Sequence, residues 1–155
     1  MQIKQGDFFR GTTIQDCCSQ AFGCDALPMR AYFIPKTVRE RYGDHYYAWF
    51  VFMDGSVKNN WSNQFIAKSQ IIPFLKVPAE RDCIFEAYSG LQADMTKHEK
   101  DPLGEERIAF QRVKGYNGKV VGYRFEGVYK ITRTIYEDGK FIARIHEKTS
   151  DIFSL

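Results

Sequence analysis

The last third of the chain decides the fold, and residues 107–146 read RIAFQRVKGYNGKVVGYRFEGVYKITRTIYEDGKFIARIH. Runs of aromatic and β-branched residues alternate here with Asn-Gly and Asp-Gly, the dipeptides that favour tight β-hairpin turns. We predict three antiparallel strands and two turns: Arg107–Val113, Asn117-Gly118, Val120–Ile135, Asp138-Gly139 and Lys140–His146. Gly127 interrupts the long middle strand, and a glycine inside a strand is typical of a bulge or a barrel corner.

Shorter elements are predicted upstream of this meander. Apolar residues at helical spacing, a threonine before them and a glycine after them predict a helix over 13–22. The predicted strands are Met29–Ile34, Tyr46–Met53 and Asp82–Tyr88. Asp54-Gly55 predicts a hairpin in which Ser56–Trp61 returns antiparallel to Tyr46–Met53. Thr37–Tyr42 is predicted to be a polar connection, and the polar stretch 91–106 is predicted to be a surface loop or a short helix.

Length and composition predict one globular domain over residues 1–155. A chain of 155 residues with 44% hydrophobic and 26% charged residues has the make-up of a single packed core, not of a disordered or collagen-like protein. The aromatic share of 15% favours strands. We therefore predict an α+β, mainly β fold, a small twisted half-open β-barrel with one or two short helices.

Positive charge is concentrated in the meander. The whole chain has a formal net charge of only +3, but residues 107–148 hold ten basic residues against four acidic ones. This asymmetry is compatible with a nucleic-acid-binding face, and equally with a well-solvated sheet that carries basic residues on its outer side.

The four cysteines do not have the spacing of a zinc site. Cys17 and Cys18 are adjacent, and neither Cys24 nor Cys83 completes a Cys-x-x-Cys pair. We expect no structural zinc, no other metal and no cofactor. The sequence also lacks a signal peptide and a long apolar run, so we expect no membrane association, reduced thiols and a cytoplasmic location, or a nuclear one in a eukaryote.

The strand around Gly127 resembles a known family. Ile108–Tyr116, a glycine-bearing turn and Gly122–Lys130 resemble the signature of SRA ("YDG") domains and of the related readers attached to bacterial modification-dependent restriction enzymes. Phe125-Glu126-Gly127 takes the place of the Tyr-Asp-Gly motif, and Tyr129 follows it. The resemblance covers about Asp54–Arg133. It implies a PUA-like β-barrel that binds duplex DNA and holds an extruded, modified base.

The resemblance also implies site residues, because an extruded base needs aromatic stacking, polar groups at its edge and cations on the flanking phosphates. The aromatic candidates are Trp49, Trp61, Tyr123, Phe125 and Tyr129. The candidates for the base edge are Asn59, Asn60, Asn63 and Glu126. The phosphate candidates are Arg112, Lys114, Lys119, Arg124 and Lys130. Each set has a structural alternative: the rings as core, the asparagines as turn formers, and Glu126 as a partner of Arg124 or Lys130.

No motif in the sequence predicts catalysis. Asp138-Gly139-Lys140 has the residue types of an Asp-x-Lys nuclease motif, but it falls in a predicted hairpin turn. We therefore predict a non-catalytic module that binds modified duplex DNA and is compatible with a protein partner such as a nuclease subunit. Two alternatives remain open. One is a protein-interaction or immunity module without nucleic acid, and the other is a MazF-like ribonuclease toxin, suggested by the opening Ile3–Phe9.

Overall fold

The computed structural model describes residues 1–26, 30–66, 83–90 and 105–155. These residues form ten strands and two helices: β1 Gln2–Lys4, β2 Phe8–Arg10, α1 Ile14–Phe22, β3 Tyr32–Phe33, α2 Lys36–Tyr42, β4 Tyr46–Val51, β5 Trp61–Ile66, β6 Cys83–Tyr88, β7 Glu106–Lys114, β8 Val120–Glu137, β9 Lys140–Ser150 and β10 Ile152–Ser154. The predicted mainly β, α+β fold with one or two short helices is confirmed.

The chain divides into two compact units. Unit 1 consists of Met1–Val51, Glu106–Val128 and Thr149–Leu155, and unit 2 of Phe52–Glu105 and Tyr129–Lys148. Strands β8 and β9 each contribute residues to both units. The prediction of one domain over residues 1–155 stays a prediction.

Unit 1 is built on a sheet in the order β3-β4-β7-β8, with β2 also paired to β8 and a separate β1-β10 pair. Stacked and edge-to-face rings fill its core. Phe50 lies 5.0 Å from Phe110 and nearly parallel to it, and Phe22 of α1 meets Phe110 edge-on at 5.7 Å. Such pairs contribute about 0.5–1.5 kcal/mol each beyond the burial of their area. Trp49, Tyr123 and Phe125 are buried in this unit as well.

Helix α1 begins and ends where its sequence predicts. Asp16 N donates to Thr13 Oγ1 at 3.2 Å, and the Asp16 carboxylate accepts from Thr13 N at 3.0 Å, which completes a capping box. Gly23 has a φ of 65°, the left-handed conformation that commonly ends a helix. The helix buries Cys17, Cys18 and Phe22 on one face.

Strand β4 shows where the sequence prediction was wrong. The Asp54-Gly55 turn is present: Ser56 N donates a hydrogen bond to Asp54 Oδ1, and Gly55 has a φ of 78°. Ser56–Trp61 does not return along β4, however. Strand β4 pairs antiparallel with β3 and parallel with β7. Residues 48–50 are all buried, as expected for a strand covered on both faces, and a continuous apolar run of this kind is typical of parallel pairing.

Unit 2 contains the strand order β8-β9-β6-β5 in its described part. The predicted turn at Asp138-Gly139 is confirmed, with φ angles of 50° and 74°. A second tight turn precedes β5, where Lys58 and Trp61 exchange backbone hydrogen bonds of 2.7 and 3.0 Å. Both residues between them, Asn59 and Asn60, have positive φ, so these asparagines do form a turn.

Several short elements were not predicted from the sequence. Thr37–Tyr42, predicted to be a polar connection, forms most of helix α2, which has seven residues and a single buried one, Val38. Strands β1, β2 and β10 have three residues each, too few to show an alternating pattern. Of the predicted strand over 29–34, Tyr32–Phe33 form β3. Met29, Asp82 and residues 91–104 of the predicted loop over 91–106 lie outside the described residues, and Glu106 begins strand β7.

Neither α1 nor α2, the helices in the described part of the chain, has the length and apolar character that a membrane-spanning helix needs.

Replacement of Thr13 tests the helix cap. Thr13→Ala removes the side-chain acceptor for Asp16 N, and we expect a loss of about 1 kcal/mol in the free energy of unfolding in urea. Thr12→Ala is the matched control, because the cap uses only the backbone of Thr12, and it should change the stability by less than about 0.5 kcal/mol. Equal losses in the two variants would contradict the capping role.

Candidate nucleic-acid interface

Three strands of unit 2 bring polar side chains onto one face. In the antiparallel registers, Asn63 of β5 lies opposite Glu86 of β6, and Glu86 lies opposite Arg144 of β9. Residues directly opposite each other in an antiparallel pair point to the same side of the sheet. His146, two residues beyond Arg144, points to this side too. We call Trp61, Asn63, Glu86, Tyr88, Arg144 and His146 the Glu86 cluster.

A buried carboxylate lies at the centre of the cluster. Glu86 Oε1 accepts a hydrogen bond from Arg144 Nε at 3.0 Å and lies 3.0 Å from His146 Nε2. An imidazole nitrogen facing a carboxylate oxygen is assigned as the N–H donor. All three residues are less than 5% exposed. Charges are tolerated at such burial only when they are paired and hydrogen-bonded, so the three side chains form one interdependent network.

Aromatic rings lie beside this network. The Arg144 guanidinium lies 5.1 Å from the ring centroid of Trp61 and 5.7 Å from that of Phe141, within the range of cation–π attraction. The Trp61 ring lies 4.9 Å from Tyr88. Both Trp61 and Tyr88 are half-buried, so neither residue is fully covered by the chain. The cluster therefore joins a planar apolar surface to a charged, buried interior.

Asn63 supplies an acceptor with no donor in the described chain. Its side chain is 6% exposed, and Oδ1 accepts no hydrogen bond from any residue that the structure describes. A buried amide oxygen in this state costs about 1–3 kcal/mol, and unsatisfied groups of this kind are uncommon in native proteins. This arrangement is suited to accepting a hydrogen bond from a ligand.

In unit 1, the hairpin between β7 and β8 presents a different surface. Gly115 N donates to Lys119 O at 2.7 Å, and Lys119 N donates to Asn117 Oδ1 at 3.1 Å, so the predicted Asn117-Gly118 turn is confirmed. Tyr116 at its tip is fully exposed, and Lys114 and Lys119 beside it are exposed as well. We call residues 114–119 the basic hairpin tip.

The other predicted site residues of unit 1 lie deeper. Glu126 has no exposed surface, and Arg124 Nη1 lies 3.9 Å from Glu126 Oε1, the neighbour pairing that the sequence also allowed. Arg112 Nε donates to Phe50 O at 3.1 Å. Burial lowers the pKa of the Arg112 guanidinium, and burial raises the pKa of Tyr123 while Arg112 opposes that rise.

The structure thus divides the predicted site residues between the two units. Arg112, Lys114, Lys119, Tyr123, Arg124 and Glu126 lie in unit 1, and Asn59, Trp61, Asn63, Tyr129 and Lys130 lie in unit 2. Of the second set, the structure brings Trp61 and Asn63 together. Tyr129 is buried, with Lys148 Nζ 5.7 Å from its ring centroid, and Lys130 is exposed. Their contacts with DNA stay predictions.

Sequence reasoning missed Glu86, Tyr88, Arg144 and His146 as members of a site. A usable signal was present, because Glu86 is the single charged residue in the apolar strand β6 and Arg144 and His146 are separated by one residue in β9. Polar residues at alternating positions of otherwise apolar strands indicate a polar strip on one face. The sequence alone did not show that this face is buried.

The family model of the SET and RING associated (SRA) domain matches residues 2–151. A solved structure described as the 5-hydroxymethylcytosine-specific restriction enzyme AbaSI is similar in fold, with a TM-score of 0.63 and 18% sequence identity. The similarity covers 99% of this chain and 42% of that chain, so the chain spans less than half of that enzyme. No curated protein sequence matches this one.

Replacement of Glu86 tests the network. Glu86→Gln keeps the size of the side chain but removes the carboxylate that Arg144 and His146 share, and removal of one member of a buried ion pair typically costs about 3–5 kcal/mol. Urea unfolding should show a loss in this range. Glu40→Gln is the control, because Glu40 and Lys36 form an exposed pair at 3.8 Å that contributes about 0.5 kcal/mol or less. A loss for Glu86→Gln as small as that of the control would contradict the network.

Proposed function

The chain belongs to the SRA domain family, and from this premise we propose that it binds duplex DNA that carries a modified base. The observation that supports this function best is the Glu86 cluster, in which two half-buried aromatic residues lie on the same face of the sheet as a buried acceptor. The similar solved structure, described as specific for 5-hydroxymethylcytosine, suggests a cytosine modified at its C5 position as the first base to test.

The aromatic part of the cluster suits an extruded base. A nucleotide that leaves the duplex loses its stacking, at a cost of a few kcal/mol, and proteins that extrude bases offset this cost by stacking them on aromatic side chains. Trp61 is the ring we assign to this role. The Arg144 guanidinium beside it holds the indole in place and adds a positive charge next to the base.

The polar part of the cluster suits the edge of cytosine. The exocyclic amino group of cytosine is a hydrogen-bond donor, so it complements an acceptor that lacks a donor. Asn63 Oδ1 is such an acceptor among the described residues. The anionic Glu86 lies opposite Asn63 in the register and favours a donor group nearby. Arg144 and His146 hold the Glu86 carboxylate and act as positioning residues.

The basic hairpin tip suits the DNA backbone. Lys114 and Lys119 are cations on an exposed turn, and the exposed Tyr116 ring between them offers a surface that can pack against a sugar or a groove wall. Contacts of this kind supply affinity without sequence information. We assign contacts with DNA phosphates to these two lysines, and keep Lys130 and Arg124 as further candidates.

We propose that this chain performs no reaction on the DNA. In the triplet Asp138-Gly139-Lys140, which has the residue types of a nuclease motif, Asp138 and Gly139 form the β8–β9 turn with positive φ and Lys140 begins β9. The chain corresponds to 42% of the similar restriction enzyme, which is compatible with a reading module that acts together with a separate nuclease. Cleavage of modified DNA by this chain alone would overturn this part of the proposal.

Binding to matched duplexes tests the proposed function. Fluorescence anisotropy should show tighter binding to a duplex with 5-hydroxymethylcytosine or 5-methylcytosine than to the unmodified duplex. Affinity should also fall steeply between about 50 and 200 mM salt, because phosphate contacts release counterions. Salt-sensitive binding without discrimination would contradict base recognition. No binding at low salt would overturn DNA binding and favour the protein-interaction alternative.

Variants of the two units separate base recognition from backbone binding. Asn63→Ala should lower the affinity for the modified duplex about tenfold or more and reduce discrimination, since one buried hydrogen bond is worth about 1–3 kcal/mol. Gln64→Ala, at the exposed neighbouring position on β5, is the matched control and should change neither the affinity nor the discrimination.

Lys119→Ala should weaken binding to modified and unmodified duplexes alike and flatten the salt dependence. Anisotropy titrations of all three variants, with melting temperatures as a folding control, check these expectations.

A further inference from the structure

Two cysteines lie close together at the end of helix α1. Cys18 Sγ is 3.9 Å from Cys24 Sγ, and Gly23, which ends the helix, lies between them in the chain. A disulfide places the two sulfurs about 2.05 Å apart, so side-chain rotation has to close about 2 Å. Neither thiol has a role in the proposed binding of DNA.

The two thiols differ in accessibility. Cys18 is fully buried, and burial raises the pKa of its thiol to about 12. Cys24 is partly exposed, and Thr37 Oγ1 lies 3.5 Å from its sulfur. Cys24 is therefore the thiol that a soluble oxidant reaches first, and Cys18 is the buried partner beside it.

The same corner connects α1 to α2. Thr37 of α2 donates a hydrogen bond from Oγ1 to Phe22 O at 2.8 Å, next to the Cys24 sulfur. A covalent bond between Cys18 and Cys24 would fix the turn after α1 at the place where α2 contacts it. Disulfides that form in reducing compartments are usually transient and redox-sensing, and we expect a bond between Cys18 and Cys24 to be of this kind.

We propose that Cys18 and Cys24 form a reversible thiol–disulfide switch driven by a small disulfide such as glutathione disulfide. The Cys24 thiolate attacks one sulfur of glutathione disulfide, which forms a mixed disulfide and releases one glutathione thiolate. The Cys18 thiol loses its proton as it attacks the Cys24 sulfur, which forms the Cys18–Cys24 bond and releases the second glutathione. Two protein thiols are oxidised, one glutathione disulfide is reduced to two thiols, and the two protons pass to the released thiolates.

Thiol counting by mass spectrometry tests the switch. The reduced chain, treated with glutathione disulfide and then alkylated under denaturing conditions, should lose two of its four reactive thiols and carry no glutathione. Dithiothreitol should restore all four thiols. The oxidised chain should also melt at a higher temperature than the reduced chain, because the bond restrains the unfolded state.

Single replacements identify the pair. Cys24→Ser and Cys18→Ala should each abolish the loss of two thiols, and Cys24→Ser is expected to fold because its side chain is partly exposed. Cys17→Ala and Cys83→Ala are the controls and should keep it. Four thiols that survive oxidation, a glutathione adduct that persists on Cys24, or a bond that depends on Cys17 would overturn the proposal. None of these outcomes depends on whether the chain binds DNA.

Discussion

Gly127 has a φ of 135° and lies in strand β8, just before the chain passes from unit 1 to unit 2. A residue with a Cβ rarely adopts this conformation, so the position requires glycine. The N-terminal part of β8 pairs with β7 and β2, and its C-terminal part continues into the turn that leads to β9. Because β8 has 18 residues and serves both units, the strand neighbours in each unit depend on its continuity through this glycine.

Unit 2 retains a buried carboxylate, guanidinium and imidazole where an all-apolar face would be simpler to stabilise. Such networks often contribute little net stability compared with well-packed apolar residues, so their presence calls for another explanation. Recognition of a polar, planar ligand is the explanation we favour. The network fixes Glu86 and Arg144 next to the Trp61 ring, and it lies beside Asn63, whose buried oxygen has no donor among the described residues. A site that is organised before binding loses less side-chain entropy when the ligand arrives.

The sequence predicted the elements that depend on local interactions. The caps of α1, the turns at Asn117-Gly118 and Asp138-Gly139 and the strands they connect all follow from short-range chemistry. The parallel pairing of β4 with β7 was not predictable in this way, because it joins residues about 60 positions apart and no turn records it. The candidate site residues show the same difference between local and long-range signals. Trp61 and Asn63 were predicted from a local resemblance and stay predictions, whereas Glu86 and Arg144 meet only through the register of three strands.

The fluorescence of Trp61 tests the central claim most directly. The chain has two tryptophans, and Trp49→Phe leaves Trp61 as the single indole emitter. If an extruded modified base stacks on this ring, titration with the modified duplex should quench its emission in a saturable way, and the unmodified duplex should quench it much less. Tight binding of the modified duplex, shown by anisotropy in the same variant, with no change in Trp61 emission would contradict the account.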